Sequence, residues 1–241
     1  MKKEGYIVLG SILGLNLSIV LLFLASPDTY DYFALDPLDA TFWFFTRLFA
    51  LLGLVALFVS SILTPFAKEL YQIYKKPFIK IHHGSAIFGL VAITLHPIIF
   101  AIDKAISESN FVEGLKVFLP KFDTAYNFWS LAGRPALILI YIALIGALLR
   151  KAFKSGWRYM HALNYVALIF GVVHGIIIGE DFYNFYETLQ VNDLIVTILF
   201  LIMTAITIAT FTLKRIQLYK LNQRKKERIA AKEESVSNNG E

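Results

Sequence analysis

The sequence predicts an all-α fold, a six-helix transmembrane bundle with its N-terminus and C-terminus both cytoplasmic. Three observations predict it. Hydrophobic residues make up 57% of the 241-residue chain and charged residues only 17%, where a soluble domain sits nearer one half and one quarter. Six apolar stretches reach the roughly 20 residues that a helix needs to cross a hydrocarbon core. The basic residues concentrate on alternate connections between those stretches. Cysteine is absent, which excludes disulfides, cysteine-ligated zinc, iron–sulfur clusters and covalently attached c-type haem.

The expected spans lie near 6–25, 42–63, 83–102, 128–149, 159–179 and 194–213. Each is too long and too uniformly apolar to be a strand, and lipid accepts only helices or closed barrels. The first follows Lys2 and Lys3 and precedes Ala25-Ser26, as a secretory signal would. Its apolar run exceeds the usual core of a signal peptide, so it reads as a retained helix. The N-terminus, the segments 64–82 and 150–158, and the tail beyond 213 carry 2, 4, 4 and 8 Lys and Arg residues. The segments 26–41, 103–127 and 180–193 carry 0, 3 and 0, against twelve Asp and Glu. Positive residues stay on the cytoplasmic side, so the six spans alternate without conflict, and Trp43 and Trp129 fall at the outer interface.

Two regions follow: a membrane domain over 1–213 and a basic, then acidic and polar, cytoplasmic tail over 214–241. The tail is expected to carry the sixth helix past the membrane, either as a topology anchor or as a docking site for a cytoplasmic partner. The net charge of +5 is a topology signal, and no nucleic-acid partner is expected.

All five histidines fall on two spans: His82, His83 and His96 on the third, His161 and His174 on the fifth. Both spans run outward, so they are parallel and present matching levels to each other. Fourteen residues separate His82 from His96 and thirteen separate His161 from His174, roughly 20 Å along a helix. In a core about 30 Å thick, that places one pair towards each surface. Fourteen steps bring His82 and His96 to one helix face, whereas thirteen leave His83 about 140° from His96, so spacing favours His82 as the inner ligand without excluding His83.

Two imidazoles facing each other at two depths suit two iron porphyrins, each taking one axial nitrogen from either helix. Filled axial positions suit electron transfer rather than oxygen chemistry. Hydrogen bonding between helices is the ordinary alternative, although ionisable residues inside a membrane are functional by default. No Asp or Glu lies within the cores of the spans, which disfavours a di-iron site or a carboxylate proton relay. Zinc or copper would cluster its ligands rather than space them so widely.

The stretch "IHHGSAIFGLVAITLHP" resembles the third span of the ferric reductase-like transmembrane superfamily, in which one histidine precedes a second, often in "LHP", by fourteen residues. The stretch "WRYMHALNYVALIFGVVH" resembles its fifth span, with Trp157, His161, Tyr165 and His174 in the family's order. The similarity covers about residues 40–215 and is specific in the histidine helices alone. It implies six helices, two b-type haems and electrons moving outward, with His82 and His161 at the inner haem and His96 and His174 at the outer one. His83 beside His82 departs from the pattern. No GxGxxG or GxxxxGK[ST] occurs, and no stretch could fold as a flavin domain, so FMN or FAD would sit on a partner. The layout is most similar to the haem-binding membrane subunit of the methionine sulfoxide reductase system. That layout implies a cytoplasmic flavoprotein reductase or quinol as donor and an extracytoplasmic reductase or ferric iron as acceptor.

Arg47 and Arg134 are the only basic residues inside the expected spans, each near an outer-interface tryptophan. Charge-assisted bonds to outer haem propionates and snorkelling to lipid headgroups both fit them. Arg158 and Lys80 flank the inner histidines, where propionate contacts and simple topology again both apply. Gly84, Gly89, Gly171 and Gly175 line the histidine helices and allow close approach of a neighbour. Pro97 is expected to kink the third span. The aromatic external segments 103–127 and 180–193 fit interfacial anchoring or a cover for the outer site. The expected function is transmembrane electron transfer; the alternative is a histidine-lined path for protons or metal ions.

Overall fold

The computed structural model describes residues 3–25, 30, 33–75, 79–119, 121–124, 127–128, 132–178 and 191–238, and these are helical with short connections. In chain order the helices are α1 (Lys3–Leu24), α2 (Pro37–Leu63), α3 (Ala67–Tyr74), α4 (Ile79–Ser107) and α5 (Phe111–Lys116). They continue with α6 (Gly133–Leu148), α7 (Arg150–Phe153), α8 (Trp157–Ile178) and α9 (Val191–Asn238). No strand occurs among the described residues. Four helices are long and apolar enough to cross a membrane: α2, α4, α8 and the Val191–Ala231 part of α9. The first and fourth expected spans fall on shorter apolar segments, Leu13–Leu24 and Gly133–Leu148. At 16 residues α6 is about 24 Å long, less than the core thickness. It begins at Gly133 rather than near 128, with Pro135 in a first turn where its missing N–H costs no bond. Trp129 lies outside the described residues, as does most of the external segment 180–193.

Local sequence explains where the long helices start and stop. The Asp36 carboxylate accepts from the Leu38 and Asp39 backbone N–H groups at 3.0 and 3.1 Å, and Pro37 follows at the first helical position of α2. Lys75, in left-handed backbone with φ of 56°, closes α3. Helix α4 runs through Pro97 from Ile79 to Ser107, giving up one internal hydrogen bond there.

The second half of α2 is buried nearly all round, from Leu51 through Gly53–Ser61 to Leu63, as befits a central helix. Ile19 and Phe23 of α1, Ile140 of α6, Leu168 and Val172 of α8, and Phe200 and Met203 of α9 complete that core. The outward faces of α4 and α9 stay apolar and exposed, with Ile87, Phe88 and Val91 on one and Leu201 and Ile202 on the other. In water such faces would be a liability; in lipid they are matched to the solvent.

Four helices close a ring. Helix α2 packs on α4, α4 touches α6, α6 packs on α8, and α8 returns to α2. The two histidine helices, α4 and α8, therefore occupy opposite corners. Small residues set the α2–α4 crossing. A Cβ on Gly53 would lie 2.6 Å from Ile93 Cγ1, and one on Gly89 would lie 3.0 Å from the Ala56 Cβ. Gly53→Ala is expected to lower stability by about 1–3 kcal/mol through overpacking, read as earlier thermal unfolding in detergent.

Helix α9 continues without a break beyond residue 213, as the tail composition predicts, for about another 37 Å. Where it leaves the bundle, the Lys214 ammonium donates to Glu69 of α3 at 2.8 Å and lies 5.0 Å from the Phe66 ring centroid. That bond holds the Glu69 carboxyl below its usual range.

Candidate functional site

Four of the five histidines meet as two pairs across the ring. The His82 and His161 ring centroids are 6.0 Å apart with planes at 81°, and those of His96 and His174 are 6.2 Å apart at 75°. The residues the spacing argument pairs are thus the residues the fold brings together. Each member comes from a different corner helix. Those two helices do not pack closely on each other, so they meet chiefly through side chains while their hairpin partners hold the frame.

Hydrogen bonds anchor three of the four rings at Nδ1. His82 Nδ1 lies 3.1 Å from the Ser60 carbonyl, 2.9 Å from Ser60 Oγ and 3.1 Å from Thr64 Oγ1. His96 Nδ1 lies 2.9 Å from the Thr46 carbonyl. A carbonyl can only accept, so these contacts assign the proton to Nδ1 and leave Nε2 with its lone pair. His161 turns the same nitrogen towards α6, 3.4 Å from the Ala143 carbonyl. Metal-binding histidines are oriented in this way, one ring nitrogen donating to a carbonyl while the other points at the ion. Tyr165, one turn along α8 from His161, donates to the Ser61 carbonyl at 3.4 Å. The Ser60–Ser61 step of α2 is consequently tied to both histidine helices at the level of His82 and His161.

The separations suit one ion between two rings. Metal–nitrogen bonds of about 2 Å, with each ring centroid about 1.1 Å behind its nitrogen, put two opposed imidazoles about 6 Å apart between centroids. Among the described residues no group of three or more His, Asp or Glu converges, so each level presents a pair of histidines alone. At the His96–His174 pair one further feature fits a bound group. Thr46 Oγ1 is buried with no hydrogen-bond partner among the described residues, although the same residue's carbonyl holds His96. Gly133, at the start of α6, lets the His174 ring pack directly against the backbone, where a Cβ would lie 3.0 Å from Nε2 and 3.1 Å from Cε1.

The remaining expected site residues are placed as follows. His83 is exposed beside His82, with ring centroids 5.6 Å apart, and does not face α8's histidines as His82 does. Arg47 is half-buried, 3.9 Å over the Trp43 ring and 5.5 Å from the Phe23 ring, a cation–π shelf one residue from the Thr46 carbonyl. Arg134 donates from Nη1 to the Leu119 carbonyl and ties α6's start to the segment after α5. Arg158 is exposed, 5.9 Å from the Trp157 ring, and that ring in turn lies 6.0 Å from His161. Among the glycines, Gly171 faces Leu54, whose Cδ2 a Cβ would meet at 2.8 Å, while Gly84 faces open space. Ser60, Thr64, Thr46 and Gly133 did not stand out in the sequence. A pair of serines in the otherwise apolar second half of the span was the available signal for Ser60; nothing comparable marks Gly133.

Compared with protein-family models, curated proteins and solved structures, the chain matches none of them. The assignment of a function therefore rests on the sequence pattern and on this geometry.

Proposed function

We propose that the protein is a dihaem b-type electron carrier of the cell membrane, a six-helix bundle with both termini cytoplasmic. It would pass electrons from a cytoplasmic flavoprotein or a quinol to an extracytoplasmic reductase or ferric iron. The observation that carries this reading is the meeting of His82 with His161 and of His96 with His174, with ring centroids 6.0 and 6.2 Å apart, so that these four residues would hold the two groups. When bound at such a pair, iron porphyrin supplies reversible one-electron chemistry. The chain's own residues do the rest. Ser60 and Thr46 carbonyls hold the imidazole tautomer that leaves Nε2 available, and Gly133 lets α6 pack against the His174 ring. The motif resemblance of the two histidine helices to the ferric reductase-like superfamily points the same way. The alternating basic connections support the orientation, with α1 and α6 as the remaining two spans.

Reduced-minus-oxidised absorption spectra of the purified protein test the proposal. Paired low-spin b-type bands and two haems per chain are the expected result. Protein that folds and binds no haem would overturn it, and would leave the histidine-lined ion path as the better reading.

A further inference from the structure

The four paired histidines do not have equal surroundings at Nδ1. Besides the Ser60 carbonyl, the His82 N–H has two hydroxyl oxygens within reach, Ser60 Oγ at 2.9 Å and Thr64 Oγ1 at 3.1 Å. Ser60 is a buried residue on the central helix, so its oxygen meets the ring in a low-dielectric setting where hydrogen bonds polarise strongly. Ser60 and Thr64 lie four residues apart on α2's line, so one helix face presents both oxygens to one ring edge. The Thr64 hydroxyl also lies 3.4 Å from the Ser60 carbonyl, joining the acceptors into one small network.

We infer that Ser60 and Thr64 are positioning residues that set the reduction potential of the inner site through the Nδ1–H of His82. The inference rests on the dihaem reading and adds to it a residue-level control. Acceptors crowded around an imidazole N–H draw its proton outward and shift electron density towards Nε2. A more basic Nε2 favours the oxidised state of a metal bound to it and lowers the potential. An inner site held low in potential hands its electron onward more readily, whatever receives it. The ring is also fixed in rotation, since three acceptors on one side leave it a single orientation.

The test uses spectroelectrochemical titration of haem-loaded wild type and of the variants Ser60→Ala, Thr64→Val and Thr64→Ser. In Ser60→Ala and Thr64→Val one of the two midpoints is expected to move positive while the other stays, with two haems retained. Thr64→Ser, which keeps the hydroxyl, is expected to restore the wild-type value. If Ser60→Ala loses a haem, Thr64→Val still decides, because valine preserves the shape of a residue at the edge of the bundle. Unmoved midpoints, or both moving together with both haems retained, would overturn the inference and leave the dihaem reading standing. Wild-type protein without haem would instead remove the reading beneath it.

Discussion

His96→Ala and His174→Ala are each expected to yield protein with one haem in place of two, and with the same residual spectrum. Their rings face one another at 6.2 Å and at a level of their own, so either loss removes the same site. The inner site keeps both its ligands in these variants and should titrate as it does in wild type. His161→Ala is expected to leave the complementary spectrum. His82→Ala should match His161→Ala, while His83→Ala should keep both haems, since His82 carries the anchored Nδ1 and faces His161 at 6.0 Å. Haem content by pyridine haemochrome, set against protein mass, reads all five variants. Retention of two haems in His96→Ala and His174→Ala alike would contradict the pairing.

Gly133→Leu is expected to reproduce the His174→Ala spectrum without touching a histidine. A Cβ at this position would already stand 3.0 to 3.2 Å from three atoms of the His174 ring, and the rest of a leucine must occupy the space over that ring. Gly133→Ala should act more mildly, retaining some outer haem at lower occupancy. The backbone there is ordinary helix, so the requirement for glycine is spatial and a larger residue fails by volume alone. Two fully occupied haems in Gly133→Leu would show that α6 can withdraw from the ring. That outcome would make the close approach incidental.

Much of this architecture was legible in the sequence because membrane helices announce themselves through length and polarity. Helices α2, α4 and α8 and the continuous α9 fall where hydropathy placed them. The histidine pairs were legible for a geometric reason: two parallel helices with histidines thirteen and fourteen residues apart can align at both levels or at neither. What remained hidden depends on helix rotation, which composition does not report. Which face of α2 reaches His82, and so the part played by Ser60 and Thr64, follows from the crossing of α2 with α4 at Gly53 and Gly89. Arg47 shows the same limit. Sequence left propionate contact and snorkelling both open, while the fold lays its guanidinium on Trp43. The short fourth span was hidden as well, because its apolar composition extends past the point where α6 begins.

The placement of α4 and α8 at opposite corners bears on biogenesis. Each is built into a hairpin with a neighbour close in sequence, α2 with α4 and α6 with α8, so both hairpins can form as they emerge into lipid. Neither hairpin contains a complete pair; each contributes one imidazole to either level. Association of the hairpins is thus the event that brings both histidine pairs together at once.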